Sequence, residues 1–208
     1  MEKNALPIED EAARRKSVTA LAPVGSATNY VLLTLEAGAD LPGVYRALYT
    51  QEHVLFCDAI KGDYGLVLLV EAESNEKIRE IVEAKIKAVP GVKGAAFLFV
   101  ETPVSTEGVV NMFGGAGGGP MQDKTAKPGA LSYAVFEIEK EKLEAIYPVL
   151  HFDGQVVYCD FTMGKYDIVA LMKGTGFAEI EHTIRSKFKP LDGVLRIKEW
   201  PVITLIET

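Results

Sequence analysis

A stretch of twelve residues occurs twice in this chain. Residues 56–67 (FCDAIKGDYGLV) align with residues 158–169 (YCDFTMGKYDIV) without a gap, and five of the twelve positions are identical. The same offset of 102 residues pairs Gly91 with Gly193 and Val92 with Val194. A fixed internal offset indicates a repeated structural unit. The sequence therefore predicts two copies of one small fold rather than a single large domain.

The spacing of apolar residues predicts the order βαββαβ in each copy. In the first copy the expected elements are strands at 30–36, 54–60, 65–71 and 95–101, and helices at 41–51 and 75–89. In the second copy they are strands at 132–138, 155–162, 166–172 and 195–207, and helices at 140–150 and 177–188. Asp40 and Ser74 are the predicted N-caps of the first two helices, and Pro42 suits the first turn of its helix.

The predicted strands are apolar on both faces, and this determines how the copies should pack. A βαββαβ unit places both helices on one face of its sheet, so the other face normally carries alternating polar residues. Residues 31–35, 66–70 and 97–100 do not alternate in this way. We therefore predict an α+β fold of two tandem ferredoxin-like βαββαβ repeats, whose antiparallel sheets pack face to face as a pseudo-dimeric αβ barrel. A homo-oligomer in which sheets from different chains cover each other is the alternative.

Two segments of the chain have little potential to form a packed element. Residues 1–28 are mixed in composition, and a possible short helix at 9–16 contains few large apolar side chains. Residues 103–130 include the glycine run GGAGGG at 114–119. Ordering glycine costs more backbone entropy than ordering other residues, which favours a linker over a phosphate-binding loop. The expected organisation is an N-terminal arm (1–28), repeat 1 (29–102), a glycine-rich linker (103–130) and repeat 2 (131–208).

Composition limits the compartment and the partners. The formal net charge is −7, whereas binding to nucleic-acid phosphates requires clustered Lys and Arg, so no direct nucleic-acid partner is expected. No apolar stretch approaches the roughly 20 residues of a spanning helix, and no signal peptide is visible, so no membrane partner is expected. Two cysteines are too few for a disulfide framework. These features favour a reducing, cytoplasmic setting.

The turn between the second and third strands of each repeat carries a short polar motif. The motif is Gly164-Lys-Tyr-Asp167 in the second repeat and Gly62-Asp-Tyr-Gly65 in the first. Together with the Pro-Gly-Val ending of the next helix, this pattern resembles the effector-binding domain of leucine-responsive/AsnC-type regulators, including its stand-alone tandem forms. The resemblance implies a ferredoxin-like, dimeric αβ-barrel fold and a small-molecule site, often for an amino acid, near this turn.

The resemblance implies ligand-binding residues in both turns: Gly62, Asp63, Tyr64, Gly164, Lys165, Tyr166 and Asp167. Asp167 could hold a ligand ammonium group, while the glycine turn offers backbone N–H groups. The first repeat lacks the final Asp of the motif, which indicates that it is the non-binding half. Only about 28 residues precede the first strand, fewer than the family's helix-turn-helix domain needs, so direct DNA regulation is not expected.

Four other polar residues form a repeated pair, Cys57-Asp58 and Cys159-Asp160. If the pairs converged they could bind a metal or form a redox couple, but no CxxC-type spacing is present. The simpler interpretation is a buried thiol next to a strand-end carboxylate, and no metal is expected. His53, His151 and His182 are scattered, with His182 opposite the apolar side of its helix. Trp200 next to Pro201 marks either an exposed contact or a plug at a strand bulge.

The function that these features favour is a small-molecule-sensing or regulatory ligand-binding module without its own DNA-binding domain. Its expected partner is a small-molecule effector, and no catalytic residue and no cofactor are predicted. Two alternatives stay open at this point. One is an αβ-barrel enzyme acting on a small substrate or haem, and the other is a structural oligomerisation module.

Overall fold

The computed structural model of the protein describes residues 27–101 and 129–205. Apart from residues 27, 28, 129 and 130, the predicted N-terminal arm and linker lie outside the described residues. The described residues form two compact units, one containing residues 101 and 129–199 and the other containing residues 27–100 together with 200–205. Each unit holds one of the two repeats.

The first repeat consists of four strands and two helices in the predicted order. They are β1 (Ala27–Leu35), α1 (Leu41–Tyr49), β2 (Val54–Ala59), β3 (Leu66–Ala72), α2 (Asn75–Ile81) and β4 (Val92–Glu101). The strands lie side by side in the order β2-β3-β1-β4. Strand β3 pairs antiparallel with β1 and β2, and β1 pairs antiparallel with β4. This is the strand order of a split βαβ unit.

The second repeat has the same elements in the same order. They are β5 (Ala130–Ile138), α3 (Leu143–His151), β6 (Val156–Met163), β7 (Ile168–Gly174), α4 (Phe177–Thr183) and β8 (Val194–Pro201). A short 3-10 turn at Lys140–Lys142 leads into α3. The strand order is β6-β7-β5-β8, with β7 antiparallel to β5 and β6. The predicted α+β class and the two βαββαβ repeats are confirmed.

The duplication extends to irregular details of the backbone. In each repeat the second helix ends in one π turn, Val82–Ile86 after α2 and Ile184–Phe188 after α4. The N–H groups of Lys87 and Lys189 each donate to the carbonyl oxygen five residues earlier, both at 2.8 Å. Such π turns are rare, so their occurrence at equivalent positions indicates common descent of the repeats.

One of the two predicted N-caps forms and the other does not. The Ser74 hydroxyl accepts the N–H of Lys77 at 3.2 Å, as expected. The prediction that the Asp40 side chain caps α1 is wrong, because it accepts no hydrogen bond from the helix. Pro42 lies in the first turn and has no N–H to donate, which removes one of the two donors that a cap normally satisfies. The Asp40 carboxylate packs over Gly43 instead.

Each repeat packs its helices against one face of its own sheet. The core of the first repeat is built on Val31, Leu68, Ile78 and Ile86, and that of the second on Phe136, Ile168, Ile180 and Phe188. The opposite face is also buried, which confirms the prediction from the strand pattern. Its buried residues in the first repeat are Tyr30, Leu32, Phe56, Val67 and Leu69. Face-to-face packing of the two sheets stays a prediction.

No helix in the described part of the chain is long and apolar enough to cross a membrane.

Candidate functional site

The turn of the second repeat is held by backbone hydrogen bonds on both sides. Asp167 donates its N–H to the Phe136 carbonyl at 2.8 Å and accepts the N–H of Thr162 at 2.8 Å. The Thr162 hydroxyl donates to the carbonyl oxygen of Tyr166 at 2.9 Å. Gly164 has a φ of 149°, a conformation that residues with a side chain rarely adopt. The turn is therefore a fixed structure, and its glycine is required by backbone geometry.

The four predicted binding residues of this turn differ in exposure. Gly164 and Lys165 are exposed, Asp167 is half-buried, and the Tyr166 side chain is buried. The Lys165 ammonium group lies 5.5 Å from the centre of the Tyr166 ring. Tyr166 therefore anchors the turn in the fold, while the other three residues present polar groups toward the surface.

The Asp167 carboxylate has a structural partner that the sequence did not predict. Its Oδ2 accepts the backbone N–H of Ile138 at 2.9 Å, which joins the turn to the end of β5. Among the described residues, Oδ1 accepts no hydrogen bond. One oxygen is thus fixed in place and the other can accept a donor from outside the turn. A carboxylate oriented in this way binds a cation at lower entropic cost than a freely rotating side chain does.

The turn of the first repeat has the same backbone framework. Gly65 donates its N–H to the Leu33 carbonyl at 2.9 Å and accepts the N–H of Ile60 at 3.0 Å, as Asp167 does in the second repeat. An ideal Cβ on Gly65 would lie 2.9 Å from Cδ1 of Leu35, so Leu35 fills the place of the missing side chain. The loss of the Asp is therefore accompanied by an apolar replacement packed against the turn.

The side chains of the first turn have different surroundings from those of the second. Gly62 and Asp63 are exposed and Tyr64 is half-buried. The Tyr64 ring packs edge-on against Trp200, with 5.5 Å between the ring centres. Trp200 is only 2% exposed, so the interpretation of Trp200 as an exposed contact is wrong. It belongs to the unit of the first repeat.

In each repeat the Cys and Asp side chains of the pair lie on opposite faces of the sheet. Cys57 and Cys159 are buried in the helix-side cores and both thiols are free of disulfides. Neighbouring residues of a strand point to opposite faces, so Asp58 and Asp160 lie on the helix-free side. Burial and the nearby Asp160 raise the pKa of the Cys159 thiol, which keeps it protonated and unreactive. No group of three or more metal-ligating side chains occurs among residues 27–101 and 129–205.

A pair of buried hydroxyls on the helix-free face was not predicted. Tyr158 donates its hydroxyl hydrogen to the hydroxyl oxygen of Tyr133 at 3.3 Å. Alternation along β6 places Tyr158, Asp160 and Thr162 on the same face, leading toward the turn at Gly164. The equivalent positions of the first repeat hold Phe56, Asp58 and Ile60, so two of the three polar groups are absent there. Comparison of the repeats position by position could have found this difference.

Glu199 is a half-buried carboxylate with a raised pKa. Its Oε1 accepts the Ser132 hydroxyl at 2.9 Å, and Ser132 is buried. Partial burial raises the pKa of Glu199 above its ordinary value of 4.5, and the Glu181 carboxylate raises it further. The Ser132 hydrogen bond opposes this effect but does not cancel it.

We expect Glu199→Gln to stabilise the protein more at pH 7 than at pH 4. A raised pKa means that the folded state binds the proton more tightly, so native stability falls as pH rises from 4.5 through the folded-state pKa. Glutamine is neutral throughout and keeps an oxygen for Ser132. Urea unfolding of both proteins at the two pH values measures the difference. Glu141→Gln, at an exposed position, is the matched control, and an equal pH dependence of the two variants would contradict the assignment.

A comparison with family models supports the resemblance to leucine-responsive/AsnC-type regulators in the first repeat. Residues 28–109 match the model of the Lrp/AsnC ligand-binding domain. This part of the chain is thus similar to Lrp/AsnC-type ligand-binding domains. The matched residues cover the first repeat, including the turn that has lost its Asp. No curated protein sequence matches the chain significantly.

Two solved structures are similar to this chain in fold. The sirohaem decarboxylase NirDL, in complex with an iron-uroporphyrin III analogue, superposes with a TM-score of 0.58 and 14% identity. The match covers 86% of this chain and 72% of that chain. A mutant chlorite dismutase from Candidatus Nitrospira defluvii gives 0.52 and 10%, covering 91% and 95%. At such identities the similarity shows the fold alone, and it extends over both repeats.

Proposed function

We propose that this chain is a small-molecule-sensing module that binds its effector at the turn Gly164–Asp167. The observation that carries the proposal is the Asp167 carboxylate, which has one oxygen bound to the Ile138 N–H and the other open to a donor. The ligand-binding class of the matched domain supports a small-molecule effector. An effector with an ammonium group, such as an amino acid, is the chemical class that suits this carboxylate.

The proposed contacts follow from the polar groups of the turn. The ligand ammonium group would donate to Oδ1 of Asp167, a charge-assisted hydrogen bond. The exposed Lys165 ammonium group, two residues away, would attract a ligand carboxylate. The backbone at Gly164 allows close approach because no Cβ intervenes. A zwitterion therefore finds both of its charges matched within one short turn.

The second repeat supports this role better than the first. It keeps the carboxylate, whereas Leu35 fills the corresponding space beside Gly65. It also carries Tyr158 and Thr162 where the first repeat has Phe56 and Ile60. Apolar replacement at all three positions removes the groups that could recognise a polar ligand. We therefore place the effector in the second repeat and assign the first a structural role.

The regulatory part of the proposal rests on the same features. The acidic charge of −7 opposes direct binding to nucleic acid, so the effector would act through a protein contact or through assembly of further chains. A cytoplasmic location fits the two buried cysteines, neither of which forms a disulfide.

We expect Asp167→Asn to lower the affinity for the effector about 10- to 100-fold. The substitution removes the charge but keeps an oxygen for the Ile138 N–H, and a hydrogen bond to a charged group contributes about 1.5–3 kcal/mol. Thermal shift against the amino acids identifies a ligand, since a hundredfold excess over Kd stabilises by about 2.7 kcal/mol. Titration calorimetry of both proteins then gives the two affinities.

The matched control is Asp63→Asn, the same change in the turn of the first repeat. It should leave the affinity unchanged. Absence of stabilisation by any amino acid or related metabolite would contradict the proposal, and so would equal losses in the two variants.

The same preparations test the alternatives. NirDL is described as a sirohaem decarboxylase, and a tetrapyrrole-binding role for this chain would give the purified protein a strong visible absorbance. The described histidines do not favour it: His182 is exposed on α4, and His151 stacks on Tyr147 with 5.7 Å between ring centres. A purely structural role would appear as oligomers by light scattering without any effector response.

A further inference from the structure

The C-terminal segment Trp200–Leu205 is bound along the edge of the first repeat. The N–H of Lys61 donates to the Pro201 carbonyl at 2.9 Å, and the N–H of Ile203 donates to the Ala59 carbonyl at 2.8 Å. Between them, Ile60 and Val202 form an antiparallel bridge. The segment thus adds a short strand to β2, directly before the turn that begins at Gly62. Leu205 packs against the helix-side core of the same repeat.

This strand brings the Trp200 ring onto the first turn. An ideal Cβ on Gly62 would overlap Cδ1 of Trp200 and lie 3.0 Å from its Nε1. On another side the ring meets Tyr64 edge-on, at an interplanar angle of 77°. The indole is therefore held between a glycine and an aromatic ring, and almost none of it reaches solvent.

Gly62 and Gly164 occupy equivalent positions but are glycines for different reasons. The backbone at Gly164 has a positive φ, whereas the backbone at Gly62 does not. A side chain at Gly62 is excluded by the indole and not by the backbone. The turn of the first repeat is thus shaped to a flat aromatic ring, while the turn of the second is shaped by its own backbone.

We infer that the Gly62–Tyr64 turn is an indole-binding slot, which Trp200 of the same chain occupies as an internal ligand. The slot recognises a flat aromatic ring through the bare Gly62 backbone and the edge of Tyr64. While Trp200 is bound, the first turn is closed to any free ligand. This assignment goes beyond the proposed effector site of the second repeat and does not depend on it, because no residue is shared.

The first test uses fluorescence of the full chain, in which Trp200 is the single tryptophan. In the wild type we expect a blue emission maximum and strong protection from acrylamide. Gly62→Ala should shift the emission to the red and increase quenching severalfold, because the added methyl displaces the ring. Gly154→Ala is the matched control, since no atom lies within 4 Å of its ideal Cβ. Unchanged emission in Gly62→Ala, or exposed emission in the wild type, would overturn the inference.

The second test is chemical rescue. Trp200→Gly should lower the melting temperature, and free indole should restore part of the loss in a saturable way. Indole should not stabilise the wild type, because the slot is already filled, nor the double variant Trp200→Gly/Gly62→Leu, in which a side chain fills it. Failure of rescue in a folded Trp200→Gly protein contradicts the slot. If that variant does not fold, the Gly62→Ala fluorescence decides. Binding of amino acids at the second turn is a separate measurement, so the two proposals can fail independently.

Discussion

Phe188→Ala is expected to destabilise the second repeat by about 3–5 kcal/mol. Phe188 is fully buried and ends the π turn after α4. Its ring packs edge-on against Phe136, with 6.1 Å between ring centres. Truncation loses the transfer free energy of the ring and leaves a cavity in a core formed by both helices and strands. The free energy of unfolding of a small domain is about 5–15 kcal/mol, so this loss is a large fraction of it.

Phe177→Ala is the matched control, because it is the same change at the start of the same helix. Phe177 is 45% exposed, so its loss should cost well below 1 kcal/mol. Urea unfolding followed by far-UV circular dichroism gives both values. Similar costs for the two variants would mean that the helix is not packed as described.

The effect of Phe188→Ala should also reach the candidate site. Phe136 lies on β5, and its carbonyl accepts the N–H of Asp167. Loosening the Phe136–Phe188 contact therefore frees the strand that positions the Asp167 backbone. We expect weaker effector binding in this variant even at temperatures where it stays folded.

The sequence predicted the repeated elements because their signals are local and occur twice. Helical spacing from Ile78 to Ile86 and from Phe177 to Phe188, and the Pro-Gly and Asp-Gly endings, each mark an element without reference to the rest of the chain. Gly91 and Gly193 do adopt positive φ, as helix-ending glycines should. Two copies of each signal made the order of elements secure.

Side-chain partners were harder to predict because they depend on distant residues. Asp40 matched the N-cap preference, but the outcome depended on Pro42 and Gly43 in the same turn. Trp200 lies about 140 residues from Gly62 in sequence, and nothing local indicates that the two meet. Asp167 was predicted from a motif to bind a ligand, while its bond to Ile138 follows from the register of β5 beside the turn. Contacts between elements are set by the assembled fold and not by local pattern.

We expect Asp167→Ala to lower the free energy of unfolding by about 1–3 kcal/mol, and Asp167→Asn by well under 1 kcal/mol. Ile138 is 5% exposed, so its N–H loses its acceptor in the alanine variant and cannot readily find water. The asparagine oxygen can still accept this N–H. Urea unfolding of the two variants separates the structural role of Asp167 from its charge.

Combining these values with the affinities decides what the carboxylate is for. If Asp167 serves only to hold β5, asparagine should preserve both stability and effector binding. If it also holds the effector, asparagine should preserve stability but lose the affinity, while alanine loses both. The first repeat folds without this carboxylate. There, Leu35 packs beside Gly65 and makes an apolar contact in its place. Loss of affinity with unchanged stability in the asparagine variant would therefore assign the Asp167 charge to binding rather than to folding.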